Sequence, residues 1–349
     1  MNNRIIKKRI KAIRRQLKKK QIDCLIVTKP ANVTYTTSFS GDDSRALITK
    51  RQVYLLTDSR YTEQAKIECP CCKVIQRGDD LSETAAELVK KLKSVQTVAV
   101  EKSASLATFD ELKRHFKGRL KTAANIIESA RSVKDNAEIT AVKAAARIAA
   151  QAFRKIQQHI KPGITENELA GILDFEIRKL GARSSFDTIV AFGSNASRPH
   201  HQPGSRKLKK NDTILIDFGV RYKSYCCDLT RCFTIGKKTT FYTKVYNAVR
   251  EAQIAAIKAV KAGVEIRQVD AAARKVIAEL SLPIYGHGTG HGLGIEVHEE
   301  PVISAKTKGK LKAGMVFTIE PAVYIPGKLG VRIEDDILVT KKGYRILAR

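Results

Sequence analysis

Residues 213–236 read TILIDFGVRYKSYCCDLTRCFTIG, and the two aspartates in this stretch, Asp217 and Asp228, decide how the second half of the chain folds. Asp217 interrupts an otherwise apolar strand pattern, ILIDFG. A lone carboxylate buried at such a position is costly. Drawn as one straight strand, the stretch would hold the two acids roughly 36 Å apart. A fold-back is the more economical arrangement. With Tyr222-Lys223 as the turn, the pairs run from 221/224 down to 217/228, and the two aspartates face each other. Like charges opposed in this way repel, so something positive must sit between them. Tyr-Lys lacks the Gly or Asn that two-residue turns favour, so the register is less firmly set than the fold-back itself.

The same arithmetic applies to MVFTIEPAVYIPGKLGVRIEDDILV, residues 315–339. A three-residue turn at Pro326-Gly327-Lys328 has good turn chemistry. It pairs 325 with 329 and, further along, Glu320 with Glu334. Arg332 lies two residues before Glu334, on the same face of the strand. Any one of these acids is most simply a surface or salt-bridged carboxylate. Four of them embedded in apolar strands, at matched hairpin positions, fit that description poorly. Carboxylates gathered with imidazole suit a hard or borderline divalent ion such as Mn, Co, Zn or Fe. This many ligands, several able to bridge, point to two ions roughly 3.5–4 Å apart.

The imidazoles come from YGHGTGHGLGIEVHEEP, residues 285–301, which holds His287, His291 and His298 among five glycines. His287 and His291 have helical spacing, but Gly288, Gly290 and Gly292 argue against a helix. The glycines let the backbone approach a crowded site. One imidazole completes a metal shell, and the others serve substrate binding or proton transfer near neutral pH. Taken singly, each histidine would read as a satisfied structural residue. His200 and His201 lie in a proline-flanked loop, SNASRPHHQPG.

The rest of the chain frames these motifs. At 349 residues and 43% hydrophobic composition it is globular and long enough for two domains. Ile6, Ile10, Ile13 and Leu17 predict an amphipathic helix over 3–20, with its apolar stripe packed on a neighbouring sheet. Strand patterns at 24–28, 45–50, 53–58, 72–76 and 97–101 alternate with helical ones at 60–67, 80–93 and 106–117. They predict an α/β N-terminal domain, a mixed sheet with flanking helices. The polar run beginning at 117–121 is the expected boundary region. A long helix over 135–160 opens at Asp135-Asn136 and stops before Lys161-Pro162-Gly163. Thr165 and Glu168 form a capping-box pattern for the next helix. Strand-rich residues 186–235, two helices over 239–281 and a glycine-rich strand region to the end make an α+β C-terminal domain. No internal repeat is evident.

No run of about 18 apolar residues occurs, so no membrane span is expected. The basic N-terminus lacks the apolar core of a secretory signal, and an odd seven cysteines do not form a disulfide framework, so a cytoplasmic location is expected. The net charge of +29 attracts polyanions, but the lysines are scattered and no nucleic-acid-reading motif accompanies them, so nucleic acid is not the expected ligand. Cys69, Cys71 and Cys72 have the wrong spacing for a zinc site and are read as buried or incidental thiols. Cys226 shares the face of Asp228 if the strand is regular, and packing is its expected use.

Together, GHGTGHGLGIEVHEEP, LIDFGVRYKSYCCDLTRCF, FTIEPAVY and GVRIEDDILV resemble the pita-bread metallopeptidases, among them aminopeptidase P, prolidase and methionine aminopeptidase. The resemblance covers residues 127–349 and implies a C-terminal domain of pita-bread fold. LIVTKPANVTYTTSFSG and LLTDSRYTEQA resemble the creatinase/prolidase-like N-terminal domain, which gives expected domains of 1–126 and 127–349. The resemblance implies Asp217, Asp228, His291, Glu320 and Glu334 as ligands of two divalent ions, manganese first and Co, Zn or Fe as alternatives. It implies bridging by Asp228 and Glu334, and catalytic or substrate-side roles for His200, His298, His287, Arg332 and Glu320. The implied reaction is attack by a metal-activated water on the first peptide bond of a peptide with proline in second position. Cleavage restricted to dipeptides, as in prolidase, is the alternative. A non-catalytic peptide- or nucleic-acid-binding member of the fold is the alternative of a different class. The family also implies a homodimer.

Overall fold

β-branched runs separated by helical patterns build the first of two compact units, residues 1–131 and 132–349. The computed structural model describes residues 3–116 and 119–348. In the first unit the order is α1 (Asn3–Lys19), β1 (Cys24–Val27), α2 (Pro30–Thr37), β2 (Ser44–Thr49), β3 (Val53–Thr57), α3 (Thr62–Glu68), β4 (Lys73–Gln76), α4 (Leu81–Lys91), β5 (Thr97–Glu101), α5 (Leu106–His115), β6 (Arg119–Ala123) and α6 (Ile126–Arg131). The six strands form one mixed sheet in the order β4-β3-β2-β1-β5-β6. β1, β2 and β3 pair antiparallel, and β5, β6 and β4 join parallel to β1, β5 and β3. Ile6, Ile10, Ile13 and Leu17 are buried as the periodicity requires. The stripe is shared, however, between β2 and the helices α2 and α6 rather than given to the sheet alone.

The polar run expected at the boundary is, from Arg119, the edge strand β6. An edge strand has one unpaired side that charged residues keep from pairing with other chains, and that polar composition hid it. Lys117 and Gly118, which close the expected 106–117 helix and open that run, lie outside the described residues. α6 packs on α1 and so belongs to the first unit, a few residues beyond the boundary expected at 126/127.

The second unit repeats one plan twice, which the sequence reading did not detect. α7 (Asn136–Ile156) and α8 (Glu166–Lys179) lead into β7 (Arg183–Ser184), β8 (Ile189–Phe192), β9 (Thr213–Phe218), β10 (Val220–Tyr222), β11 (Tyr225–Cys226) and β12 (Leu229–Thr234). α9 (Thr240–Ala259) and α10 (Ile266–Glu279) lead into β13 (Gly290–Gly292), β14 (Glu299–Ile303), β15 (Val316–Ile319), β16 (Ala322–Ile325), β17 (Leu329–Arg332), β18 (Asp335–Val339) and β19 (Tyr344–Ile346). Both helix pairs turn at a glycine with positive φ, Gly163 at 99° and Gly263 at 94°. Both glycines donate to a leucine carbonyl further along their own half, Leu208 and Leu311, at 2.9 Å each. The capping signals hold: Asp135 with Glu138, and Thr165 with Glu168, bond reciprocally at the starts of α7 and α8. Such caps are worth about 1 kcal/mol each. The long helices bury alanine-rich faces, among them Ala145, Ala149, Ala248 and Ala252, with α7 packed on β10 and β11 and α9 on β15, β16 and β17.

Candidate metal centre

The first hairpin forms, but its turn is Lys223-Ser224, both at positive φ (47° and 67°), not Tyr222-Lys223. Left-handed φ at both central positions matches the twist of the flanking strands, and this geometry outweighed the residue preferences. Asp217 consequently faces Thr230 rather than Asp228. A slip of two residues keeps every side chain on its face. Asp217 and Asp228 are therefore diagonal neighbours on one surface. The second hairpin has the expected register: Ile325 pairs with Leu329. Ile319↔Asp335 and Ala322↔Arg332 bracket Glu320 and Glu334 on the same count.

Strand β13 adds the histidine. Gly290 and Gly292 are required there by close approach. A methyl at Gly290 would stand 1.9 Å from the Thr318 carbonyl oxygen, and one at Gly292 2.3 Å from that of Glu300. His291 is thereby laid against β15. Its backbone N–H donates to Thr318 Oγ1 at 3.1 Å, and that hydroxyl donates to Glu320 Oε1 at 3.2 Å. Nδ1–H of His291 donates to its neighbour's carbonyl, Gly292 O, at 3.2 Å. That fixes the tautomer and turns the Nε2 lone pair inward. Nε2 lies 3.4 Å from Glu320 Oε1 and 3.6 Å from Asp228 Oδ2. Ligand atoms of Asp228, His291 and Glu334 all fall within 4.8 Å of one another.

Asp217 is held by Arg332, Nη2 to Oδ2 at 2.6 Å. Arg332 also donates to Tyr324 OH at 2.6 Å, Thr230 Oγ1 at 3.1 Å and Pro199 O at 3.3 Å. Thr230 Oγ1 in turn donates to Glu334 Oε2 at 2.6 Å. His287 Nδ1–H donates to Gly288 O at 2.7 Å, and its Nε2 accepts from Tyr324 OH at 3.3 Å. Asp228, Asp217, Glu320, Glu334, His287 and Arg332 all line one cavity of about 790 Å³, with His291 at its base and His200 and His298 on its exposed side. The His298 ring stands edge-on to His291, centroids 4.3 Å apart. Cys226 is buried elsewhere, its thiol 3.5 Å from Ile295 O. The thiols at 69, 71 and 72 are free, and among the described residues no metal-capable cluster includes them.

The electrostatics are those of a site built for cations. Burial, then the charges of Glu334, Asp217, Glu320 and Asp336, push the Asp228 carboxyl far above the ordinary range. Burial, then Glu320 and Asp217, do the same to Glu334. Burial also raises Glu320, with His287 and Arg332 pulling it back. Burial depresses His287, His291 and His298, keeping the imidazoles neutral; the Nε2 lone pair of His291 is then free to bind a cation, while that of His287 accepts from Tyr324. Burial opposes the charge of Arg332, but Tyr324, Asp217, Glu320 and Glu334 outweigh it, so the guanidinium stays charged.

Residues 140–341 match the model of metallopeptidase family M24, and residues 9–133 match that of the creatinase/prolidase N-terminal domain. The chain belongs to family M24. It is a peptidase, with a creatinase-type mixed-sheet unit ahead of a pita-bread unit. It is similar to the uncharacterized peptidase YqhT of Bacillus subtilis, 38% identical over 93% of each chain. Among solved structures it is similar to the Xaa-Pro dipeptidase from Bacillus anthracis, with 34% identity, a TM-score of 0.95 and 99% and 98% of the two chains covered. It is also similar to the X-Pro aminopeptidase from Thermotoga maritima, with 37% identity, a TM-score of 0.88 and 94% and 96% covered. Family M24 implies divalent metal ions, and the residues fit them. Asp217 Oδ1 and Asp228 Oδ1 are buried without a hydrogen-bond partner, and the donor set is carboxylate and neutral imidazole. No helix of the described residues is long and apolar enough to cross a membrane.

Sequence reasoning missed Tyr324, Thr230, Glu166 and Asp270. Strand period two offered the first two, since Tyr324 shares a face with Glu320 and Thr230 with Asp228. The other two lie on helices, where nothing in the sequence separates an inward acid from a solvated one.

Proposed function

We propose that the chain is an Xaa-Pro aminopeptidase acting on peptides longer than two residues. Asp217, Asp228, His291, Glu320 and Glu334 would hold two divalent ions, manganese first among the candidates. When bound, the ions supply Lewis-acid activation of a water and of the scissile carbonyl. Glu320, at the rim of the acid cluster, is the base that takes the proton from the attacking water. His298, stacked edge-on to His291, donates to the oxygen that gains negative charge. His200, on the same exposed side of the cavity as His298, would stand at the leaving nitrogen. Arg332 balances the charge of Asp217 and, through Tyr324, orients His287 toward the same space. Phe186, Ile189, Val297 and Val302 give the cavity an apolar side that suits a proline ring.

The observation that carries chain length is the state of Arg332. Among the described residues it is the one lysine or arginine that lines the cavity, and Asp217, Tyr324, Thr230 and Pro199 O already occupy it. The free carboxylate of a dipeptide would enter an acid-rich cavity with no uncommitted guanidinium or ammonium to receive it. A longer peptide puts a neutral amide there. Dipeptide cleavage remains the second reading, favoured by the likeness to the Bacillus anthracis dipeptidase. Steady-state hydrolysis of Ala-Pro and Ala-Pro-Ala-Ala, with metal content measured on the same sample, tests the proposal. A kcat/KM at least tenfold higher on the tetrapeptide is expected. A preference for the dipeptide would overturn the length assignment, and no hydrolysis of either by metal-replete protein would overturn the Xaa-Pro reading.

A further inference from the structure

The loop that carries His200 is held by one buried carboxylate that no part of the peptidase reading uses. Glu166, the first residue of α8, is fully buried. Its Oε1 accepts from Phe192 N and from Asn195 Nδ2, both at 2.8 Å. Its Oε2 accepts from His201 Nε2 at 2.8 Å and from Gly204 N at 3.1 Å. All four donors belong to the segment that leaves β8 at Phe192, passes His200 and returns at Gly204. One side chain thus grips both ends of a loop and the imidazole next to His200. Burial works to raise the Glu166 carboxyl, but the bonds from His201, Phe192 N and Asn195 outweigh it and hold it below the ordinary carboxylate range.

The duplicated half of the unit uses the same device. Asp270 of α10, fully buried, accepts from Thr289 Oγ1 at 2.7 Å and Thr289 N at 3.3 Å. It also holds Arg274, Nε to Oδ2 at 2.8 Å. Arg274 donates to the carbonyls of Tyr285 at 3.0 Å and His287 at 2.6 Å. In each half, the second helix sends one buried acid into the histidine loop that follows it. Glu166 reaches both ends of its loop directly, whereas Asp270 reaches its loop at Thr289 and, through Arg274, at Tyr285 and His287.

We propose that Glu166 is a positioning residue for the peptidase reaction: by clamping Phe192, Asn195, His201 and Gly204 it sets where the His200 imidazole stands at the cavity. This rests on the role given to His200 above. Glu166→Gln keeps the shape but replaces one acceptor oxygen by an amide donor, so at least one of the four donors loses its partner and the loop shifts. A displacement near 1 Å at a reacting group costs on the order of 10²-fold in rate. The loss is expected in kcat more than in KM, because His200 acts on the leaving group rather than on ground-state binding.

The test is a double-mutant cycle in the metal-loaded full chain, on whichever peptide the parent cleaves fastest, with Glu166→Gln, His200→Ala and the pair. Asn195→Ala, which removes one of the four bonds, runs beside it in case Glu166→Gln fails to fold. Circular dichroism and metal content at the parent's values are expected for each variant used. If Glu166 works through His200, either substitution costs activity in the parent but less than twofold more once His200 is alanine. Equal, additive losses on both backgrounds would overturn the inference and leave the role of His200 standing. A His200→Ala variant as active as the parent would overturn the role of His200, and this inference with it.

Discussion

Placing alanine at Gly290 is the most searching single change to the scaffold. The added methyl would stand 1.9 Å from Thr318 O and 2.7 Å from Thr318 C. Both are backbone atoms of the adjacent strand, so no side-chain rotation relieves the contact. Reaching an ordinary contact of 3.4 Å requires β13 and β15 to part by about 1.5 Å. That movement separates His291 on β13 from Glu320, which directly follows β15, the two residues proposed as ligands there. The hydrogen bonds from His291 N to Thr318 Oγ1 and from Glu320 N to Thr289 O, 3.1 and 2.8 Å, would be lost or stretched. Overpacking of this kind costs about 1–3 kcal/mol of stability. A shift above 1 Å at the reacting groups costs on the order of 10²-fold in kcat/KM. Thermal unfolding and peptide hydrolysis measured together check both numbers. Gly286→Ala is the control, because a methyl there meets nothing within 4 Å. Parent-like stability and activity in Gly290→Ala would refute the claim that backbone approach at this glycine builds the site.

Thr230→Val removes a fully buried hydroxyl that donates to Glu334 and accepts from Arg332. Leaving those two partners unpaired should lower stability by about 1–3 kcal/mol, while Thr230→Ser stays near the parent in the same unfolding titration. The pH dependence of the metal-free protein has a definite sign. Asp228 and Glu334 keep their protons in the folded chain far above the ordinary carboxylate range. Their contribution is therefore fully present below the unfolded values of about 4 and is lost as pH rises through the folded ones. The depressed histidines act the other way, but only below about 6.5, where unfolded imidazole takes up protons. The stripped protein should thus lose thermal stability as pH rises above about 6.5, where the histidines no longer oppose the raised acids, and metal should flatten that slope. A midpoint that rises over this range in the stripped protein would contradict the assignment of repelling buried acids.

Much of the site was legible because strand geometry forgives some errors and not others. The 217/228 register was off by two residues, yet the acids stayed on one face, since strand side chains alternate with period two. Pro326-Gly327-Lys328 was read correctly because its turn chemistry is strong, and it set Glu320 against Glu334 without error. The glycines between the histidines announced close backbone approach, and Gly290 and Gly292 bear that out. What stayed hidden is tertiary in origin. Glu166 at the first position of a helix is where a carboxylate favours the helix dipole anyway, so its inward aim leaves no mark in sequence. The duplication of the second unit leaves only short traces in sequence, Lys161-Pro162-Gly163 against Lys261-Ala262-Gly263 and Lys207-Leu208-Lys209 against Lys310-Leu311-Lys312, and Glu166 in one half is matched by Ile266 at the start of α10 in the other. β6 was hidden because an edge strand tolerates polar residues.

The most direct measurement is a calorimetric titration of chelator-stripped protein with Mn²⁺, for the parent and for Asp228→Asn and Glu334→Gln. Two ions bound per parent chain, and loss of at least one of them in each variant with the fold intact by circular dichroism, are expected if the two hairpins gather their acids for a cation pair. A parent that binds no divalent ion, or variants that bind two as tightly as the parent, would contradict it.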